Sequence, residues 1–176
     1  MNDGKRRRLT VGVAAGGVCA ALAAALLTGR AWEDSGDLPT DRQETVAERG
    51  RSVMPFDLEQ TTHHFTPTKT GGLQDVVADQ PGGEKQIGLI RTHLRQEAKA
   101  FSQGDFGDPA QIHGAGMPGL AALEAGYKRI QVRYREQPDG ANLTYDTEEP
   151  ALVDALHDWF EAQLGDHGDH AEAGRS

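Results

Sequence analysis

The chain has 176 residues, a formal net charge of -9 and a single cysteine. This length allows one domain of ordinary size plus appendages. Beyond Arg30 the chain holds 13 basic and 26 acidic residues, and so acidic a surface disfavours nucleic-acid binding, which depends on Lys and Arg. Because Cys19 is the only cysteine, an intramolecular disulfide and a cysteine-based zinc site are excluded.

The N-terminal segment has the pattern of a membrane-targeting sequence. Residues 1–8 form a basic leader that is expected to stay in the cytoplasm, and residues 9–28 carry no charge, which is enough length to cross a bilayer as a helix. We therefore predict a single-pass protein of the cell membrane, with residues 9–28 as an uncleaved signal anchor and the C-terminal domain outside the cytoplasm. The alternative is a cleaved signal peptide and a secreted domain, because residues 9–28 are rich in alanine and glycine and only moderately apolar.

The composition then changes twice along the chain. Residues 29–53 combine charged residues, serine and glycine with few large apolar residues, which predicts a disordered linker. The extracytoplasmic domain is assigned to residues 54–165. Residues 166–176, which are rich in histidine, aspartate and glycine, are predicted to form a flexible tail.

The first half of the domain is predicted to contain a hairpin and a long helix. Residues 61–68 and 73–78 are rich in β-formers and flank the sequence Lys69-Thr70-Gly71-Gly72, which is typical of a hairpin turn. In residues 84–103, apolar residues recur at spacings of three and four, the pattern of an amphipathic helix. The apolar positions of this helix are Ile87, Ile90, Leu94, Ala98 and Phe101.

The second half repeats this order after a loop. Residues 105–119 are dense in Gly, Pro and Asp and are predicted to be irregular, and residues 118–125 to form a short helix. Alternating apolar residues on both sides of residues 137–140 predict a second hairpin, and Glu149-Pro150 opens a last amphipathic helix that Gly165 ends. The predicted fold is α+β, ordered ββα(α)ββα. Its four-stranded antiparallel sheet, made of two hairpins, is packed by two amphipathic helices on one face and preceded by the transmembrane helix.

The histidines are the strongest candidates for a chemical role. His113 and Met117 lie in a glycine-rich loop, where an imidazole and a thioether can bind copper together. We predict these two residues as metal ligands, with His64, His93 and His157 as further candidates from neighbouring elements. The alternative assigns Met117 to the apolar core and gives the histidines structural hydrogen bonds.

The sequence contains no recognised catalytic motif. It has no phosphate-binding glycine loop, no HExxH and no nucleophile elbow, and Asp105 and Asp108 are typical of turn and cap residues. We therefore predict no catalytic residue and a binding or interaction module with a possible protein partner. An extracytoplasmic protein that binds copper or another transition metal is the alternative.

Several distinctive segments lie between residues 54 and 170. They are Met54-Pro55-Phe56-Asp57-Leu58, Thr61-Thr62-His63-His64-Phe65, Gly71-Gly72-Leu73-Gln74, Gly104-Asp105-Phe106, Ile112-His113-Gly114, Met117-Pro118-Gly119-Leu120 and His157-Asp158-Trp159-Phe160 through Asp166-His167-Gly168. In these segments the chain resembles a group of small exported or membrane-anchored bacterial proteins. Some of them carry the label aspartate carbamoyltransferase, which implies an enzyme as a further alternative. The sequence departs from that class because it lacks a Ser-Thr-Arg-Thr-type phosphate-binding helix start and a second α/β domain.

Overall fold

The computed structural model of the chain describes residues 39–174. Within them the chain forms five α-helices and five β-strands. The helices are α1 (Pro39–Val53), α2 (Glu84–Phe101), α3 (Gly107–His113), α4 (Leu120–Gly126) and α5 (Pro150–His167). The strands are β1 (Thr61–Thr68), β2 (Gly71–Ala78), β3 (Gln131–Gln137), β4 (Gly140–Asp146) and β5 (Ala171–Ala173).

The strands form one mixed sheet in the order β3-β4-β2-β1-β5. The two predicted hairpins, β1–β2 and β3–β4, are present and antiparallel, and β2 pairs with β4 in the same sense. The predicted four-stranded antiparallel sheet is wrong, because β5 adds a fifth strand parallel to β1, with Ala171 opposite His63. The three residues of β5, Ala-Glu-Ala, show no strand pattern in the sequence. Strand β5 therefore forms because the end of α5 places these residues beside β1.

The core lies between one face of the sheet and the helices α2 and α5. This face carries Phe65, Val76, Leu143 and Tyr145, each at most 1% exposed. Helix α2 packs across β4 and β3, and α5 packs across β2 and β1. Since side chains alternate along a strand, His63 shares the core face with Phe65.

The predicted linker is wrong for residues 39–53, which form α1 and pack against α3 and α5. Val46 is the apolar anchor of this helix and is only 2% exposed. Gln43 also donates a hydrogen bond to the carbonyl of Gly165 in α5, at 3.1 Å. Because its apolar stripe is so short, α1 is stabilised by packing against α3 and α5 and not by its own helix propensity. The apolar periodicity of the sequence therefore does not predict it.

Two further predictions need correction. The segment predicted as an irregular loop, 105–119, contains α3, and the number of helices is therefore larger than predicted. The predicted flexible tail is ordered through residue 174, since α5 continues through Gly165 to His167 and is followed by a 3-10 helix, Gly168–His170, and β5. A glycine inside a helix costs about 1 kcal/mol, which the hydrogen bonds of Asp166 with Arg42 and His113 offset.

The predicted transmembrane segment, residues 9–28, lies outside the described residues. Among residues 39–174, no helix combines the length and the apolar character needed to span a bilayer.

Candidate metal centre

A small cavity lies between the sheet and the helices α2, α3 and α5, and six of the fourteen residues that line it are ionisable. These are four histidines and two carboxylates: His63, His93, His113, His167, Glu97 and Asp108. The cavity has a volume of about 30 Å³, and one water molecule needs about 10–15 Å³. The space therefore suits one ion with one or two bound waters and does not suit an organic substrate.

Three of these residues form the carboxylate site, which consists of His93, Glu97 and Asp108. His93 and Glu97 are one helical turn apart on α2, so their side chains lie on the same face. Asp108, from the first turn of α3, meets them, and one ligand atom from each residue lies within 4.8 Å of the other two. An imidazole and two carboxylates from two helices therefore converge on one point.

Burial changes the pKa values of Glu97 and His93, whereas Asp108, the third member of the carboxylate site, is the most exposed of the three. Burial raises the pKa of Glu97 to about 8, and the nearby charge of Asp108 and a hydrogen bond with it add to this shift. Burial also lowers the pKa of His93, which the charge of Asp108 partly opposes. Near neutral pH, Glu97 therefore holds a proton that a bound cation would displace.

The other histidines form the histidine cluster, which consists of His63 on β1, His113 at the end of α3 and His167 at the end of α5. The rings of His63 and His167 stack, with centroids 5.2 Å apart and planes 5° apart. The ring of His113 stands edge-on to His167, with centroids 4.9 Å apart. All three side chains are buried, so one continuous group of imidazoles forms this part of the cavity wall.

A carboxylate outside the cavity wall orients His113. The Nδ1 atom of His113 lies 2.8 Å from Oδ2 of Asp166, and Arg42 of α1 donates to both oxygens of the same carboxylate. Burial alone would raise the pKa of Asp166, but the hydrogen bonds from His113 and Arg42 lower it overall. Because Nδ1–H of His113 is engaged, Nε2 is the ring nitrogen that remains for a ligand, an arrangement common in metal sites.

Two buried nitrogen atoms beside the cavity have no hydrogen-bond partner within the described part of the chain. They are Nδ1 of His63 and Nε1 of Trp159, and both residues line the cavity. Unpaired buried polar atoms are rare, because each costs about 1–3 kcal/mol. Burial, together with the neighbouring histidines, lowers the pKa of His63 to about 3, so this ring is neutral.

Comparison with known protein families, curated proteins and solved structures finds no match. The resemblance to small exported bacterial proteins therefore stays a prediction, and the geometry of the cavity is the feature that points to a function.

The structure brings together two of the five predicted metal ligands, His93 and His113, which lie on the same cavity. Met117 is 5% exposed and belongs to the apolar core. It does not line this cavity, so the predicted pairing of His113 with a thioether is not found. The partner of the His113 ring is a carboxylate instead.

The remaining two candidates lie elsewhere. His64 precedes the buried Phe65 and points to the opposite face of β1, where its Nδ1 lies 3.7 Å from a carboxylate oxygen of Glu172. Nε2 of His157 lies 3.0 Å from the carbonyl oxygens of Thr68 and Gly71. His157 therefore closes the turn of the first hairpin and has a structural hydrogen bond, as the alternative interpretation expected.

The cavity is also lined by residues that were not predicted from the sequence to be metal ligands. His63 could have been preferred over His64, because it shares the strand face of the apolar Phe65. Glu97 follows His93 by four residues in a predicted helix, a spacing that places two metal ligands on the same helix face. Nothing in the sequence brings Asp108 or His167 to this site, since both belong to segments predicted to be irregular.

Replacing Asp166 by Asn is expected to lower the free energy of unfolding by about 2 kcal/mol. The amide has one acceptor oxygen, which cannot serve both His113 and Arg42 as the carboxylate does, and hydrogen bonds to a charged group contribute about 1.5–3 kcal/mol. Urea denaturation of the full-length chain measures the change. Asp169→Asn, in the exposed turn three residues on, should leave the stability unchanged; equal effects of the two substitutions would contradict the role given to Asp166.

Proposed function

We propose that this protein binds a divalent first-row transition-metal ion at the carboxylate site. The observation that carries the proposal is the convergence of His93, Glu97 and Asp108 within 4.8 Å beside the cavity. One imidazole with two carboxylates suits Zn²⁺, Mn²⁺ or Fe²⁺, whereas Mg²⁺ and Ca²⁺ favour sites made of oxygen ligands alone. Two carboxylates also balance the charge of a divalent ion, which keeps the cost of burying it low.

The size of the cavity supports an ion rather than an organic ligand. About 30 Å³ leaves room for a metal ion and one or two water molecules. Nothing in this cavity favours the carbamoyltransferase alternative, because carbamoyl phosphate and aspartate are both larger. The location outside the cytoplasm and the protein partner stay predictions from the sequence, and a metal site is compatible with both.

The test is a zinc titration of the full-length chain, purified in detergent and stripped of metal. We expect Glu97→Gln and Asp108→Asn each to remove one tightly bound equivalent of Zn²⁺, because each deletes a charged ligand. Zn²⁺ at a hundredfold excess over its dissociation constant should stabilise the unsubstituted protein by about 2.7 kcal/mol. Calorimetric titration and thermal denaturation measure the two effects.

Matched controls separate this site from surface binding. Glu124→Gln changes an exposed carboxylate on α4, and His64→Ala removes a histidine from the outer face of β1; both should bind zinc as the unsubstituted chain does. The proposal is wrong if Glu97→Gln and Asp108→Asn retain every zinc equivalent. It is also wrong if His170→Ala, in the turn after α5, is the substitution that abolishes binding.

A further inference from the structure

One edge of the sheet is long and uncovered. Strand β3 is the outermost strand on its side and, among the described residues, pairs only with β4. This pairing runs through all seven residues of β3 without a bulge, and the strand contains no proline. Proteins usually shorten or interrupt an edge strand so that it does not pair with another chain. The opposite edge, β5, has only three residues, whereas β3 is long enough to accept a further strand.

The register of the sheet shows which backbone groups face this edge. The amide of Ala78 donates to the carbonyl of Asp139, at 2.9 Å. Such a bond flanks an antiparallel pair that is not itself bonded, so the backbone groups of Gly140, opposite Val77, point away from β2 and toward β3. Gly140 pairs with Gln137, and alternate residues direct their backbone groups to opposite sides of a strand. The unpaired N–H and C=O groups at the edge therefore belong to Val132, Tyr134 and Glu136.

The side chains along this edge are basic in an otherwise acidic protein. Residues 127–135 contain four basic residues and no acidic one, whereas the whole chain has a formal net charge of -9. Val132 and Tyr134 pack against the core, so the alternate residues Arg133 and Arg135 lie on the opposite face of β3, where both are exposed. The edge therefore attracts a strand that carries acidic side chains.

Charge also decides against a second copy of this chain as the partner. An antiparallel pairing of two β3 strands about their middle residue, Tyr134, would place Arg133 of each copy opposite Arg135 of the other. Like charges directly opposite each other destabilise a strand pair, whereas opposite charges stabilise it. Arg133 already pairs with Asp146, but no acidic group within residues 39–174 forms an ion pair with Arg135. The charge of Arg135 is therefore available to a partner.

We propose that β3 is the docking site for an extended acidic segment of a partner protein, which adds a strand to this edge of the sheet. The partner's backbone would bond to the unpaired N–H and C=O groups of β3, the mode of recognition known as strand addition. Its acidic residues would lie opposite Arg133 and Arg135. Phosphate groups of a nucleic acid or a membrane would also pair with the arginines but would leave the carbonyl groups of the edge without a donor. No residue of β3 lines the cavity, so strand addition is independent of the proposed metal site.

The first experiment measures amide hydrogen exchange of the ¹⁵N-labelled full-length chain in detergent, with and without a synthetic peptide of alternating glutamate and valine. We expect the amides of Val132, Tyr134 and Glu136 to exchange rapidly in the free chain. With the peptide at ten times its dissociation constant, their exchange should slow about tenfold. The amides of Arg133 and Arg135 face β4 and should exchange slowly in both states, which makes them an internal control.

Charge reversal tests the role of the arginines. Arg135→Glu should weaken binding of the glutamate–valine peptide by about three- to thirtyfold, because an attractive cross-strand pair becomes a repulsive one. The same variant should bind a lysine–valine peptide more tightly than the unsubstituted chain does. Arg49→Glu is the matched control, since it makes the same charge change at an exposed position of α1, and it should bind both peptides as the unsubstituted chain does. Fluorescence anisotropy of labelled peptides measures these affinities.

Strand addition is ruled out if the glutamate–valine peptide protects none of the three edge amides, or if Arg135→Glu and Arg49→Glu weaken its binding equally. An acidic partner is also ruled out if the edge amides are protected in the free chain and lose that protection on dilution, because a second copy then occupies the edge. Tighter binding of a single-stranded oligonucleotide or of anionic lipid vesicles than of the peptide would identify phosphate as the ligand and would overturn the proposal as well.

Discussion

The metal-free protein is expected to be most stable near pH 7 and to lose about 1 kcal/mol between pH 7 and pH 9. Glu97 sets the alkaline side, because burial raises its pKa from 4.5 in the unfolded chain to about 8 in the folded one. The folded state therefore holds one proton that the unfolded state has released, and stability falls by about 1.4 kcal/mol per pH unit until the folded pKa is passed.

The histidines set the acidic side with the opposite sign. Burial lowers the pKa of His63 from 6.5 to about 3, that of His167 well below 6.5 and that of His93 below 6.5, so in acid the unfolded chain binds protons that the folded chain does not bind. The contribution of these histidines is complete about one pH unit above 6.5 and is lost as the pH falls. Below about pH 5.5 three histidines oppose the single carboxylate Glu97, and stability should fall with decreasing pH by at least about 1.4 kcal/mol per unit.

Urea denaturation of the metal-free chain at half-unit pH steps measures this profile. Glu97→Gln should remove the alkaline decline, so that stability stays nearly level from pH 7 to pH 9, and Glu124→Gln should leave the profile unchanged. Zinc should also remove the decline, because the ion replaces the proton on Glu97. An unsubstituted chain that is equally stable at pH 7 and pH 9 would contradict the assignment of a half-buried, protonated Glu97.

Replacing Gly119 by Ala is expected to destabilise the protein by about 2–5 kcal/mol. Gly119 precedes α4 with φ at +75°, where a side chain costs about 1–2 kcal/mol. A Cβ atom there would also lie 2.0 Å from the carbonyl oxygen of Ala155 in α5. Relief of that clash requires α5 to move, at a cost of about 1–3 kcal/mol for an overpacked interior.

The effect of Gly119→Ala should extend to the proposed metal site. The same Cβ would lie 3.2 Å from Cβ of Trp159, and Trp159 and His167 line the cavity from α5. The zinc affinity should therefore fall along with stability. Gly116→Ala is the matched control in the same loop: it meets no atom within 4 Å and should raise stability by about 0.4–1 kcal/mol. Effects of the same sign from the two substitutions would contradict the close packing of the loop against α5.

The sequence alone predicts the elements that carry their own pattern. Apolar residues at spacings of three and four identify α2 and α5, and alternation around short polar turns identifies the two hairpins, because these periods match the geometry of an element that buries one face. The α+β class follows from them. Pairing of His93 with Glu97 on one face of α2 is equally local, since it needs only the pitch of the helix.

The tertiary structure decided the elements and the site residues that have no such pattern. Helix α1 and strand β5 bury too few apolar residues to show a period, and each is held by contacts with parts of the chain more than one hundred residues away. For the same reason Asp166, assigned to a flexible tail, became the partner of His113, and Asp108 became the third member of the carboxylate site. A cluster drawn from β1, α2, α3 and α5 depends on how the elements pack against one another, and residue spacing within a single element contains no information about that packing.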